Sequence, residues 1–262
     1  MQPISIVPSP LLSHVANQEF QMCLYQEAKK DPIYAQFYKE QIAAGKFVLL
    51  DNGAAEGVNP TWQELVPIYE ELGPSEIILP DVVGEKEETL KRSSEAYIEL
   101  KGLGFHNKMQ FMGVPQGRTF SEWLDCLRVM MIQDHITTIG VSKFVTKLFA
   151  EELGATTNVR LECVDAILNH PSRKKVQIHL LGCYYTPYEI QEIEAAFPGK
   201  VRSTDSAIAY VYARNSLSIN TATRPDQKEI DFQQNDIPEY DTTGKDLLDR
   251  NIELYSKICR NL

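Results

Sequence analysis

Short apolar runs alternate along the chain with longer stretches in which apolar residues recur every three or four positions. The runs are ISIV (4–7), FVLLD (47–51), EIILPD (76–81), MQFMGV (109–114), TTIGVS (137–142), QIHLLG (177–182) and VRSTD (201–205). Near-continuous apolar runs of this length fit strands buried on both faces. Each of the last six is followed by an amphipathic stretch, from TWQELVPIYEEL after the first of them to AIAYVYARN after the last. Thr119 and the pair Thr186-Pro187 stand where helix N-caps and first-turn prolines belong. Strand–helix alternation of this kind predicts a parallel sheet covered by helices. Seven strands are one short of a closed (β/α)8 barrel, and LLSHVA (11–16) is the candidate for the eighth. An open doubly wound sheet is the alternative. No G-x-G-x-x-G or P-loop follows any run, which removes the main support for a nucleotide-cofactor sheet. The expected fold is α/β, a single TIM-like barrel over 1–262, with a polar surface excursion at 215–244 and a final helix at 245–262.

Composition narrows the function classes. With 262 residues, 43% of them hydrophobic, the chain can bury one large core. A formal net charge of −10 argues against nucleic-acid binding through bulk positive charge, though not against a local basic track. The five cysteines are scattered, with no C-x-x-C pair and no histidine at ligand spacing, so neither a disulfide framework nor a zinc site is expected, and no cofactor is called for. The opening MQPISIVPSP lacks a charged segment followed by an apolar run, and no eighteen apolar residues follow one another. A cytoplasmic protein without a membrane span is expected.

Candidate chemistry sits at the strand ends. Asp51 closes one run, Asp81 the next, Gln116-Gly117 follow FMGVP, Gly140 stands in TTIG, Leu181-Gly182 end IHLLG and Asp205 ends VRSTD. In a barrel all would face one bowl at the C-terminal side. Three carboxylates and an amide supply polar groups there, and the glycines let a flat ligand lie against backbone.

These segments, taken in order, resemble those of the tRNA-guanine transglycosylases and their DNA-modifying relatives. LLDNGA is similar to the family's Asp-Ser-Gly-Gly segment, PDVVGEKEE to Phe-Asp-Glu, GVPQGR to Val-Gln-Gly-Gly, IGVS to Ile-Gly-Gly-Leu, HLLGC to Tyr-Leu-Met-Gly-Val, and RSTDSAIAYVYAR to Phe-Asp-Cys-Val-Leu-Pro-Thr-Arg. The resemblance covers roughly residues 47–214. It implies a TIM barrel that exchanges guanine in a polynucleotide for a 7-deazaguanine base through a covalent glycosyl-aspartate. By that resemblance Asp205 is the nucleophile and Asp51 the acid/base, in a segment continued by Asn52 and Gly53. Asp81 would accept from the N1–H and exocyclic amine of guanine, Gln116 and the Gly140 backbone would meet its carbonyl edge, Leu181-Gly182 would wall the pocket, and Gly117, next to Gln116, is counted with the substrate-binding residues. Two carboxylates suit the chemistry, because one must attack and stabilise a cationic sugar while the other changes protonation state.

The chain also departs from the pattern. The three cysteines and one histidine of the family's zinc subdomain are missing after Asp205, where Cys259 is the sole cysteine. Arg118 and Val141 each replace a glycine, which suggests altered base specificity. The compact, zinc-free bacteriophage enzymes that place 7-deazaguanines in DNA are closer in character, so DNA is the expected substrate in preference to tRNA.

Plainer readings stand beside these. Asp51-Asn52-Gly53 suits an ordinary turn, Asp81 and Asp205 suit helix caps, and Gln116 could bridge a loop. His179, inside a strand, suits a satisfied core histidine better than a base. Tyr184, Tyr185 and Tyr188 could stack on a base or simply pack, and EKEETLKRSSE reads as a solvated helix face. Arg202, Arg214, Arg224, Lys143 and Lys147 are the candidates for phosphate contacts. A nucleoside glycosidase or base transferase acting on a small molecule, and a non-catalytic purine-binding barrel, remain alternatives to base exchange in a polymer.

Overall fold

The structure, a computed structural model, describes residues 1–58, 60–154, 158–172, 174–183, 186–221, 223–226, 228–237 and 242–261. Eight strands run parallel: β1 (Gln2–Ser5), β2 (Phe20–Cys23), β3 (Phe47–Leu50), β4 (Glu76–Ile78), β5 (Gln110–Gly113), β6 (Ile136–Ser142), β7 (Gln177–Leu181) and β8 (Ser203–Ser206). Their order is β1-β8-β7-β6-β5-β4-β3-β2, and the free edges of β1 and β2 lie against each other. The Ser5 N–H donates to Gln18 Oε1 at 3.0 Å across that seam. The fold is a nearly closed (β/α)8 barrel.

The eighth strand is β2, and LLSHVA is not a strand. Ser9–His14 forms a 3-10 helix with Pro10 in its first turn, where the missing N–H costs nothing. β2 is short and carries a polar residue, Gln21, whose side chain is buried. Its Nε2 donates to the carbonyl of Gln18 at 3.0 Å and to Gln41 Oε1 at 3.0 Å. A glutamine whose amide N–H groups are bonded in this way can occupy a buried position, although its Oε1 has no partner among the described residues, and it hides the strand from hydrophobic pattern reading.

Helices α1 (Tyr25–Lys30) and α2 (Pro32–Ala43) follow β2; α3 (Trp62–Leu72), α4 (Lys86–Gly102), α5 (Phe120–Met131), α6 (Val145–Leu153), α7 (Val159–Leu168), α8 (Tyr188–Ala196) and α9 (Ile208–Arg214) complete the ring. Two N-caps match the local sequence, whereas at α8 the N-cap position falls on Pro187 instead of Thr186, with no side-chain cap, because the helix begins one residue later at Tyr188. Thr119 accepts from the Glu122 N–H at 3.2 Å, and Thr61 with Glu64 makes a capping box on α3. The N-terminal mouth of the barrel is plugged by a buried polar cluster. Arg202 donates to Glu76 Oε2 at 2.6 Å and to Gln177 Oε1 at 2.8 Å, its guanidinium lies 5.2 Å from the Phe47 ring centroid, and Thr138 donates to Glu76 Oε1. Arg202 therefore holds the floor of the barrel and is not available to a phosphate at the opposite face.

α10 (Thr242–Arg260) packs on α8, α9 and β1. Its buried Asn251 donates to the carbonyl of Leu217 at 3.0 Å and accepts from the Ile219 N–H at 3.1 Å, which pins the start of the segment after α9. That segment is more than a polar surface excursion: Ile219 and Ile237 are buried, and the Phe232 carbonyl accepts from the Ser9 N–H at 2.8 Å. Arg214 donates to the carbonyl of Glu229 at 3.3 Å and to that of Lys228, so it shapes this strap and is occupied there. No described helix is long and apolar enough to cross a membrane.

Candidate active site

β3 ends at Leu50, and the chain turns at once. Asp51 Oδ2 accepts from the Gly53 N–H at 3.0 Å and Asn52 Oδ1 from the Ala54 N–H at 2.9 Å, while Gly53 takes φ +77°, a left-handed conformation that suits glycine. The turn reading and the functional reading of this segment are both satisfied, because Asp51 and Asn52 also line the bowl. Burial, with the negative charge of Glu56 next, pushes Asp51 up to about 8. The negative charges of Asp205 and Asp81 act in the same direction. A carboxyl so placed holds a proton at neutral pH and can give it up when a base approaches.

Asp81 is buried at the end of the segment that leaves β4. It does not cap α4, whose N-cap is Glu85. Its Oδ1 accepts from Asn52 Nδ2 at 2.7 Å and its Oδ2 from Gln116 Nε2 at 2.6 Å. Asn52 Nδ2 also donates to the Leu79 carbonyl at 2.9 Å, and Gln116 Oε1 accepts from the Gly84 N–H at 3.1 Å. Burial raises Asp81 to about 6 against the opposing pull of these two amides. The three side chains form one rigid polar wall.

Asp205 closes β8 from the other side of the bowl and does not cap α9, whose N-cap is Ala207. Its Oδ1 accepts from the Gly182 N–H at 3.2 Å and lies 3.0 Å from His179 Nε2. Among the described residues no hydrogen bond reaches Oδ2. Gly182 turns with φ +70° directly after β7, and Leu181 beside it lines the cavity.

Two of the glycines serve packing instead of ligand approach. Gly140 lies two residues inside β6, where a Cβ would meet Leu181 Cδ1 and Met112 Sδ at 2.9 Å. At Gly117 a Cβ would meet the Trp123 backbone nitrogen at 2.5 Å, because α5 crosses there. Neither lines the bowl, nor does Gly53; the last residue of β6, Ser142, and Lys143 just after it do. Val141 is buried outside the lining, and Arg118 is exposed and bonded to Glu85 Oε1 at 3.2 Å, so neither departure reshapes the pocket wall.

The cavity that gathers Asp51, Asn52, Asp81, Gln116, Leu181, Gly182 and Asp205 measures about 1330 Å³ and opens at the C-terminal face. Eight Asp and Glu side chains and four lysines line it. Lys143 is the phosphate candidate that does so; it makes no ion pair among the described residues, and its ammonium stands 5.5 Å from the Phe144 ring centroid. Lys147 and Arg224 are exposed outside the lining. Tyr188 is 45% exposed on α8, and Tyr184 and Tyr185 lie outside the described residues. No group of three metal-ligating side chains occurs among the described residues.

Three lining or adjoining residues escaped pattern reading. Gln26 comes from α1, behind the unrecognised strand, and its buried Oε1 has no partner among the described residues. Glu56 sits one turn beyond Asp51 and faces the same space. His179 reads as a core histidine, which it is by burial, yet it touches Asp205. Only the β7–β8 register, which pairs His179 with Ser203, could have exposed that contact.

No protein-family model and no curated protein sequence matches the chain. Solved structures do. The chain is similar to D-psicose 3-epimerase crystallised in the presence of D-fructose, with a TM-score of 0.54, 10% identity and 100% of each chain covered. It is similar to the YdjI aldolase from Escherichia coli K12, with a TM-score of 0.56 at 9% identity over 99% of this chain and 88% of that one. For the Amycolatopsis orientalis BexX/CysO complex the TM-score is 0.50 at 8% identity, over 99% and 90%. At such identities the likeness establishes the barrel fold and leaves the chemistry to the site.

Proposed function

We propose that this barrel is a base-exchange enzyme, which displaces guanine from an anomeric carbon of a polynucleotide, DNA in preference to tRNA, and installs a 7-deazaguanine base. The observation that carries the proposal is the pairing of Asp51 and Asp205 in one cavity with unlike environments. Asp205 has one oxygen tied down and the other unbonded among the described residues, while Asp51 is pushed up to about 8. The first is prepared to attack and the second to donate a proton.

The reaction balances with these two groups. Asp205 Oδ2 attacks the anomeric carbon, the C–N bond to guanine breaks, and its electron pair leaves with the base as Asp51 supplies a proton. The incoming base then gives a proton to Asp51 and attacks the same carbon, the ester C–O bond breaks, and Asp205 is restored as a carboxylate. Two displacements retain configuration. Asp81, fixed by Asn52 and Gln116, keeps lone pairs to accept from the N1–H and exocyclic amine of a guanine-type base.

The volume favours a polymer, since about 1330 Å³ exceeds the roughly 300–1,000 Å³ typical of small-ligand sites and leaves room for a splayed-out nucleotide and its flanks. The excess of carboxylates over lysines in the lining favours the second reading, a free nucleoside. The deciding experiment offers single-stranded DNA, duplex DNA, tRNA and guanosine in parallel with a labelled 7-deazaguanine acceptor. Label entering DNA is the expected result. Label entering guanosine alone selects the second reading, and no exchange on any of the four overturns the proposal.

A further inference from the structure

We propose that His179, as the neutral tautomer protonated on Nε2, is the positioning residue that orients Asp205. The proposal rests on the nucleophilic role given to Asp205 above. His179 is fully buried in the middle of β7, with Nε2 3.0 Å from Asp205 Oδ1 and Nδ1 2.8 Å from Ser203 Oγ. Ser203 Oγ also accepts from Arg202 Nε at 3.1 Å.

The donors settle the tautomer. Arginine only donates, so the Ser203 hydroxyl accepts from Arg202, and its single hydrogen is free to point at His179 Nδ1. Nδ1 is then an acceptor, and the ring hydrogen sits on Nε2, facing a carboxylate oxygen that can only accept. The opposite tautomer would set a bare ring lone pair against Asp205 Oδ1. The charged groups around the ring are Asp205 on β8, Arg202 just before β8 and Glu76 on β4, and the last two pair with each other at 2.6 Å. Burial opposes a charged ring in this setting and lowers the His179 titration.

The consequence is directional. A carboxylate is loosely held about its last torsion, with two broad and nearly equivalent orientations. Here both donors, His179 Nε2–H and the Gly182 N–H, fall on Oδ1, so Oδ2 is the oxygen presented to the sugar. A neutral donor orients the carboxylate without the charge neutralisation that an arginine or lysine would impose. It also remains useful after attack. With Oδ2 esterified, Oδ1 is the ester carbonyl, and the same donors stabilise the charge that returns to it as the ester breaks.

The test combines a spectrum with kinetics. Histidine-ring ¹⁵N NMR of the full chain and of Asp205→Asn should show His179 neutral at pH 7 and protonated on Nε2, with that nitrogen shifted by the Asp205 substitution. A charged ring or an Nδ1–H tautomer overturns the proposal, whatever the substrate proves to be. His179→Leu should slow formation and breakdown of the adduct about 10- to 100-fold, the loss expected for a hydrogen bond to an ionised group, with KM within about twofold. His179→Gln, whose Nε2 can reach the same oxygen, should recover most of that rate. Equal rates for the Leu variant and the parent overturn the proposal. Should the Leu variant not fold, Ser203→Ala replaces it, and its Nε2–H signal should weaken as the rate falls. If the parent forms no adduct at all, the base-exchange reading fails, and the spectra alone decide whether His179 orients Asp205.

Discussion

Asp51→Asn should make the protein more stable at neutral pH, and the gain should grow as pH rises. The asparagine keeps the shape and can still accept the Gly53 N–H that Asp51 binds at 3.0 Å. What it removes is a charge in a place that disfavours charge. Asp51 sits at about 8 in the folded chain, mainly through burial, against about 3.9 for an unfolded aspartate. A raised pKa gives stability that is fully present below about pH 4 and is lost as pH climbs through about 8, because in that window the folded state binds more protons than the unfolded one. The loss runs at up to about 1.4 kcal/mol per pH unit, so the parent should fall behind the variant by about 2 to 3 kcal/mol between pH 5 and 7. Asp51 borders the open bowl, and solvent there makes this an upper figure. For a chain of this size the difference corresponds to about 5–10 °C in Tm. Urea and thermal melts of both proteins at half-unit steps from pH 4.5 to 8 would measure it, since every other titrating group is shared. Profiles that run parallel would show that Asp51 ionises at an ordinary pH, and the argument that it enters catalysis protonated would be lost.

Other substitutions probe the remaining parts of the site. Gln116→Leu strips a donor from Asp81 and leaves the Gly84 N–H without its 3.1 Å acceptor, so stability should drop by about 1–3 kcal/mol and base binding should weaken about tenfold by isothermal titration. Gly140→Ala places a methyl 2.9 Å from Leu181 Cδ1 and Met112 Sδ; overpacking of about 1–3 kcal/mol should appear in denaturant melts, with a rise in KM as Leu181 shifts into the cavity. Arg202→Leu leaves the fully buried Glu76 without its cation and should cost about 3–5 kcal/mol; a loss below about 1 kcal/mol would refute its place in the floor of the barrel.

Most of the barrel could be read from hydrophobic runs because parallel strands, covered on both sides, have no polar face to interrupt them. β2 could not, since Gln21 occupies a buried position where its amide N–H groups find acceptors in the carbonyls of Val15, Ala16 and Gln18 and in Gln41, which the fold brings near. The strand-end rule placed Asp51, Asp81, Gln116 and Asp205 on one cavity, because a closed parallel barrel leaves such residues no other face. It overreached for Gly140 and Gly117, where a missing side chain signals close packing just as well as ligand approach. His179 shows the complementary limit. Its burial follows from its strand, but its partner lies across a register of strands that sequence periodicity does not encode.

The central claim is a covalent ester on Asp205, and intact-protein mass spectrometry after mixing with a guanine-containing single-stranded oligonucleotide tests it most directly. With no acceptor base present, the parent should gain the mass of the oligonucleotide less one guanine, peptide mapping should place the bond on Asp205, and a 7-deazaguanine acceptor should discharge it. Asp205→Asn should show no added mass while still binding guanine. An adduct that persists in Asp205→Asn, or that maps to another residue, would contradict the account.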